Sequence, residues 1–175
     1  MIGIRREDKN AWERRAPLTP DHVAELAKQQ VRVRVQPSRR RVFPDMDYAA
    51  AGADVDEDLS PCSVILGVKE IPVELLLPDK PYVFFSHTTK GRDYNMPLLQ
   101  SLLDGRDTLI DYERILDSHG KRLIFFGRHA GYAGMIDTLW ALGRRLAAEG
   151  HATPFEDVRL AHDYSSLDEA THHIS

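Results

Sequence analysis

The sequence predicts an α/β fold of Rossmann-like type: an open, mostly parallel sheet with helices on both faces, followed by a long linking helix. Three observations carry this. Short apolar runs alternate with helical patterns along most of the chain, as they do when strands are joined by crossover helices. Glycines and prolines punctuate the alternation where elements should stop. With 175 residues, 42% hydrophobic and 29% charged, the chain has the length and composition of an ordinary globular domain with a real core.

Met1 to Arg6 reads as the first strand. Thr19 then caps a helix whose first residue is Pro20, and PDHVAELAKQQ carries Val23, Leu26 and Ala27 on one face. The alternating VRVRVQ, Val31 to Gln36, has one polar side and is predicted to be an edge strand. Asp45 to Ala51 is a short helix stopped by Gly52. Ser63 to Val68 and Tyr82 to Ser86 are buried strands, with a turn or two of helix at VELLL between them. Asn95 to Leu103 is helical and ends at Gly105, and Thr108 to Tyr112 and Arg122 to Phe126 are two further strands. A long helix runs from about Ala130 to Glu149, closed by Gly150. Beyond it lie a short strand at Val158 to Leu160 and a polar tail.

The formal net charge of -4 gives no general attraction to nucleic acid or anionic membranes, and Arg39-Arg40-Arg41 reads as a local solvated loop. A single cysteine, Cys62, excludes a disulfide framework and a cysteine-based zinc site, and no metal is expected. No stretch approaches the roughly 20 apolar residues of a membrane span, and MIGIRRE opens directly on a strand with no leader, so the expected compartment is the cytoplasm.

In open parallel sheets ligands bind beyond the carboxyl ends of the strands. Lys69 and Glu70 follow SVILGV, His87 follows YVFFS with Lys90 three residues on, Asp111 and Glu113 flank the end of TLIDY, and Arg14-Arg15 lie in the loop after the first strand. Taken singly, Arg15, Lys69 and Lys90 read as solvated charges, His87 as a structural histidine and Glu113 as a helix-start charge. Gathered at strand ends they read as a site. An arginine binds a carboxylate through paired hydrogen bonds. A lysine crowded by a histidine becomes a candidate for proton transfer near neutral pH, with nearby glutamates tuning both. Gly127 to Gly134 also places glycines between a strand and a helix. Its spacing is not that of a dinucleotide fingerprint, and close helix packing is the expected role.

These residues fall within linked motifs: NAWERRAPLTP (Asn10 to Pro20), ILGVKE (Ile65 to Glu70), FFSHT-x-K (Phe84 to Lys90), NMPLL (Asn95 to Leu99), LIDYE (Leu109 to Glu113) and FG-x-x-AG-x-AGM (Phe126 to Met135). In that order they closely resemble the lysine-ketoglutarate reductase part of the bifunctional aminoadipic semialdehyde synthases. More distantly they resemble lysine-forming saccharopine dehydrogenases, alanine dehydrogenases and a transhydrogenase subunit. The resemblance covers Ile2 to about Tyr164. It implies an oxidoreductase that condenses lysine with 2-oxoglutarate and reduces the imine with NADPH (NAD in some relatives) to saccharopine. By motif, Lys69 and His87 match the acid/base pair, Arg15 the arginine on a substrate carboxylate, and Glu70, Lys90 and Glu113 polar residues lining the same cleft.

The resemblance also implies a nucleotide-binding domain after Gly150, for which this chain has no fingerprint. The expected organisation is a substrate-side catalytic domain over residues 1–126. Residues 127–175 would be a linking helix and the start of a truncated or missing nucleotide-binding domain. Such a chain is a fragment, the partner of a separate nucleotide-binding chain, or catalytically silent, and it is expected to bind neither NAD nor NADP tightly by itself. The small-molecule partners implied are saccharopine, lysine and 2-oxoglutarate. A free-standing amino- or keto-acid-binding module and an alanine dehydrogenase-like domain are the alternatives. ERRAPLTP and SHTTK favour the lysine reductase over alanine dehydrogenase. Met135, Ile136, Leu139, Trp140, Leu142 and Leu146 form a broad apolar stripe on the long helix, from which a homodimer is expected.

Overall fold

The computed structural model describes residues 1–175, in two compact units, Met1–Ile124 and Phe125–Ser175. The first unit is built on six strands: β1 (Ile2–Ile4), β2 (Val33–Val35), β3 (Asp54–Val55), β4 (Val64–Leu66), β5 (Pro81–Phe84) and β6 (Thr108–Asp111). All pair in parallel, in the order β3-β2-β1-β4-β5-β6. The chain thus winds outward from β1 to one edge, returns to β4 beside β1, and winds to the other. The reversal between β1 and β4 is the topological switch point, where such sheets open a crevice at the strands' carboxyl ends.

Register explains the two faces. Ile2 and Ile4 lie opposite Val33 and Val35, and these pack with Val23 of helix α1 (Pro20–Lys28) and Tyr48 of α2 (Asp45–Ala50). Gly3 lies opposite Ile65 on the other face, where Ile65, Tyr82 and Phe84 pack with Leu98 and Leu102 of α3 (Met96–Asp104). Helices therefore cover both faces, as expected. Gly3 has a specific reason to lack a side chain: a Cβ there would come within 3.0 Å of the sulfur of fully buried Cys62. Helix α1 starts where the sequence places it. Thr19 accepts the backbone N–H of His22, and the His22 ring accepts that of Thr19, a reciprocal cap.

Four expectations are corrected. VRVRVQ is not at the edge, because the two-residue β3 pairs outside it, and Arg34 on its polar side bonds Asp54 of that neighbour at 2.8 Å. Arg122 to Phe126 is not a strand. Arg122 makes one isolated antiparallel bridge with Leu116, while Leu123 and Phe125 are exposed, so the apolar run has no sheet to join. Val158 to Leu160 is irregular: Val158 is buried after a 3₁₀ turn at Pro154–Asp157, and Tyr164 Oη takes the N–H of Arg159 that a ladder would have used. In the Arg39–Arg41 run, Arg41 is buried, paired with Asp45 and stacked over the Tyr48 ring, so it is not solvated.

The second unit consists of α4 (Gly127–Ala148), two 3₁₀ turns and α5 (Leu167–Ile174). Asp137 accepts the N–H of Ala161 at 2.8 Å and Arg144 donates to the Glu156 carbonyl at 2.8 Å, tying the following loop to α4. Gly143 is the buried residue of α4, and a Cβ there would lie 2.2 Å from the Phe155 carbonyl oxygen. Gly131 and Gly134, expected to serve close packing, have nothing within 4 Å of an added Cβ.

Candidate active site

The carboxyl ends of β1, β4, β5 and β6 carry the charged residues singled out in the sequence, and buried carboxylates hold them. Glu7, just past β1, is buried, and its two oxygens accept the N–H groups of Val68 and Lys69 at 2.7 and 2.9 Å. This clamp fixes the turn after β4 from which half-buried Lys69 projects. Burial raises the proton affinity of Glu7 above its ordinary value, against the pull of those two N–H groups and of Arg5.

Arg15 is clamped by Glu13, its Nε and Nη2 donating to the two oxygens at 2.7 and 2.5 Å. Burial pushes Glu13 up, but the Arg15 hydrogen bonds, the Arg15 charge and the nearby Lys69 charge outweigh it and hold the carboxyl below the usual range. The bond to Glu13 raises Arg15 in turn. Lys69 and Arg15 therefore share one acidic neighbourhood made by Glu7 and Glu13.

His87 stands at the end of β5 in a left-handed backbone conformation, φ 53°, which costs a non-glycine residue energy unless its surroundings hold it. They do so on three sides. The Asn95 amide donates to the His87 carbonyl at 3.2 Å, Phe85 stacks on the ring at 6.4 Å between centroids, and Nδ1 meets Glu70 Oε1 at 2.9 Å. Burial opposes ionisation of Glu70, but the His87 bond, its own backbone N–H and the Lys9 charge keep it below the ordinary range. An ionised partner makes Nδ1 the donor and leaves Nε2 as the working nitrogen.

At the third strand end, buried Glu113 meets Lys90 at 3.6 Å and Arg122 at 3.2 Å, with Thr89 Oγ1 at 3.4 Å from its other oxygen. Asp111 is buried beneath. It accepts the Ser86 hydroxyl and the Ser86 N–H on one oxygen and the Glu113 N–H, at 2.7 Å, on the other. Tyr112, tilted against Phe85, has its hydroxyl pushed up to about 12 by burial and by the Glu7 charge.

The structure thus joins Glu70 with His87, Lys90 with Glu113, and Arg15 with Lys69 through Glu13. Sequence reasoning passed over Glu7, Glu13 and Arg122. Glu7 and Glu13 sit in stretches already quoted as a strand and a motif, and an acid just after a strand at the switch point was the available signal. Arg122 was hidden by its apparent strand. No group of histidine, cysteine and acidic side chains forms a metal site. Among the glycines that open α4, added Cβ atoms at Gly131 and Gly134 meet open space, and Arg128 donates to the Tyr132 hydroxyl at 2.7 Å.

Comparison with known proteins shows what the chain is similar to. Residues 3–133 match the family described as alanine dehydrogenase/PNT, N-terminal domain. The chain is 46% identical over 170 residues to the mitochondrial alpha-aminoadipic semialdehyde synthase of Rattus norvegicus, covering 97% of this chain and 18% of that protein. It is 46% identical over 173 residues to the alpha-aminoadipic semialdehyde synthase of Arabidopsis thaliana, with 95% and 16% covered. It is 32% identical over 163 residues to the saccharopine dehydrogenase (NAD(+), L-lysine-forming) of Neurospora crassa, with 90% and 43% covered. The chain therefore spans under a fifth of the synthases and less than half of the fungal enzyme. Among solved structures, an L-alanine dehydrogenase shares the fold with a TM-score of 0.66 at 23% identity, over 85% of this chain and 41% of that one.

Proposed function

Since the chain belongs to the alanine dehydrogenase/PNT N-terminal domain family, we propose that it is the substrate-side domain of a lysine-ketoglutarate reductase-like oxidoreductase. The observation that supports the proposal is the placement of Arg15, Lys69 and His87 after β1, β4 and β5, with Glu13 on the Arg15 guanidinium, Glu7 on the Lys69 backbone N–H and Glu70 on the His87 ring. In this reading lysine and 2-oxoglutarate meet there, lose water to give an imine, and leave as saccharopine once the imine is reduced. His87 Nε2 and the Lys69 amine exchange protons with the carbinolamine oxygen and the nitrogen. Arg15 holds a substrate carboxylate by paired hydrogen bonds, worth about 1.5–3 kcal/mol where the partners are charged. Glu70 orients His87, and Glu113 orients Lys90 toward the same ligand. The hydride for that reduction would come from NADH or NADPH. No helix is long and apolar enough to cross a membrane. The cytoplasm remains the proposed compartment, although the mammalian relatives are named mitochondrial.

Calorimetric titration of the purified chain with saccharopine and 2-oxoglutarate tests the proposal. Binding is expected, Arg15→Ala is expected to weaken it by about 1.5–3 kcal/mol, and no NAD or NADP reduction by saccharopine is expected from this chain alone. Absence of binding by every one of saccharopine, lysine and 2-oxoglutarate would remove the reading.

A further inference from the structure

The run Arg39-Arg40-Arg41 takes no part in the site above, and the structure divides it. Arg41 turns inward as a brace: Nη1 donates to the Gln36 carbonyl at 3.1 Å, Nη2 pairs with Asp45, and the guanidinium lies over the Tyr48 ring. Ser38 completes the turn. Its N–H donates to the two Asp45 oxygens at 3.1 and 3.2 Å, and its Oγ accepts the N–H groups of Arg40 and Arg41 at 3.3 and 3.2 Å. A turn fixed in this way leaves Arg39 and Arg40 exposed, where they line a cavity of about 540 Å³ at the carboxyl ends of β1 and β2. Arg15, Lys69 and His87 do not border this cavity, which lies on the β2 side of β1, whereas Lys69 and His87 follow strands on the other side.

The charges around the cavity decide what it can take. Four carboxylates line it, and each is met within the fold: Glu7 by the N–H groups of Val68 and Lys69, Asp8 by Arg5, Asp45 by Arg41, and Glu57 by Arg6, whose Nη1 reaches its two oxygens at 2.7 and 2.8 Å. The two outward arginines are not balanced in the same way. Arg39 makes no hydrogen bond or ion pair, and Arg40 reaches only a neutral carbonyl, that of Asn10, at 3.4 Å. Two guanidinium groups on a braced turn, neither with an acid of its own, are suited to grip an oxyanion through forked pairs of N–H donors. A volume within the range of small-molecule sites, about 300–1,000 Å³, has room for an organic body beside the anion. We propose that this cavity is a binding site for a phosphate monoester, with its phosphoryl oxygens held by Arg39 and Arg40. The proposal stands apart from the functional reading above, because it uses none of that site's proton-transfer or substrate-carboxylate groups.

The test is titration calorimetry of the full chain with ribose 5-phosphate, ribose and inorganic phosphate, at constant ionic strength and about pH 7.5, where a phosphate monoester is close to doubly charged. Ribose 5-phosphate is expected to bind at least about tenfold more tightly than ribose, the worth of one charged hydrogen bond. Arg39→Ala and Arg40→Ala are each expected to weaken it about three- to tenfold, as loss of an exposed charged contact does, and the double variant more than either. Arg145→Ala, an exposed arginine in the second unit that pairs with Glu149, is expected to leave it unchanged, which separates a site from a general effect of charge. Arg39 and Arg40 are exposed, so neither change threatens the fold, and an unaltered thermal unfolding curve checks this. Inorganic phosphate binding more weakly than ribose 5-phosphate supports the monoester; binding as tightly or more so, with the same two arginines required, gives the site to free phosphate instead. Ribose binding as well as its phosphate, affinity unchanged in the double variant, an equal loss in Arg145→Ala, or no binding by either phosphate compound overturns the site.

Discussion

Two buried carboxylates do for this site what loop residues could not do alone. Glu7 takes the N–H groups of Val68 and Lys69, and Asp111 takes those of Ser86 and Glu113. Lys69, His87 and Glu113 thus sit on backbone fixed by acids that never face a ligand. Each acid must remain an acceptor on both oxygens. Asp111→Asn turns one oxygen into an N–H₂ that faces Ser86 or Glu113 donors, leaving a buried clash of like groups. We expect it to cost about 1–3 kcal/mol in urea unfolding, more than Ser86→Ala, whose hydroxyl leaves together with its hydrogen bond. An unchanged midpoint for Asp111→Asn would mean that the bracket does not hold the loop. In the sequence Glu7 and Asp111 are marked only by their place at strand ends; what the sequence does not show is the backbone partner 61 or 25 residues away. Lys69 and His87 stand out as candidates because polar residues that follow an apolar run are informative whatever they touch.

At the scale of elements, periodicity found what periodicity can find. Helix α1 and the strands β1, β4, β5 and β6 follow from the alternation of apolar runs with helical patterns and from capping. The failures share one cause: partnership across the sheet, not local pattern, decides an edge. Asp54–Val55 is too short and too acidic to announce itself, yet it pairs with Arg34–Val35 and moves VRVRVQ inward. RLIFF has the local marks of a strand but makes only one isolated bridge, Arg122 with Leu116. The glycines of α4 repeat the lesson. Those between a strand and a helix looked purposeful, whereas Gly143, in mid-helix, is the one against which backbone packs. Gly143→Ala would drive its Cβ to 2.2 Å from the Phe155 carbonyl, so α4 and the turn at Pro154–Asp157 must part. The higher helix propensity of alanine would offset only about 1 kcal/mol of that, against an overpacking cost of typically about 1–3 kcal/mol. Faster proteolysis within residues 150–160, with the first unit's melting unchanged, is the expected signature. A fully protected turn in Gly143→Ala would show that the loop gives way more easily than its backbone contact suggests.

At the scale of the whole molecule, the apolar surface of the second unit asks for cover. Met135 is 62% exposed and Leu142 38%, while Ile136, Leu139, Trp140 and Leu146 are only half-buried, so a helix of 22 residues hides little of its stripe. Alongside it, Tyr132, Met135, Ile136 and Leu139 with Leu167 and Ile174 of α5 edge an apolar groove of about 210 Å³. Such a surface is costly in water and marks an interface. A two-fold dimer is the expected cover, since self-complementary closure needs no other chain and leaves no open end. Light scattering after size exclusion decides between this and a solitary chain. A monodisperse mass near 19.9 kDa at tens of micromolar counts against the dimer. A dimer lost in Met135→Glu, with the thermal unfolding curve unchanged, supports it, because Met135 is exposed enough for a charge there to leave the fold intact. Loss of the dimer only together with the fold would place the association elsewhere than on α4.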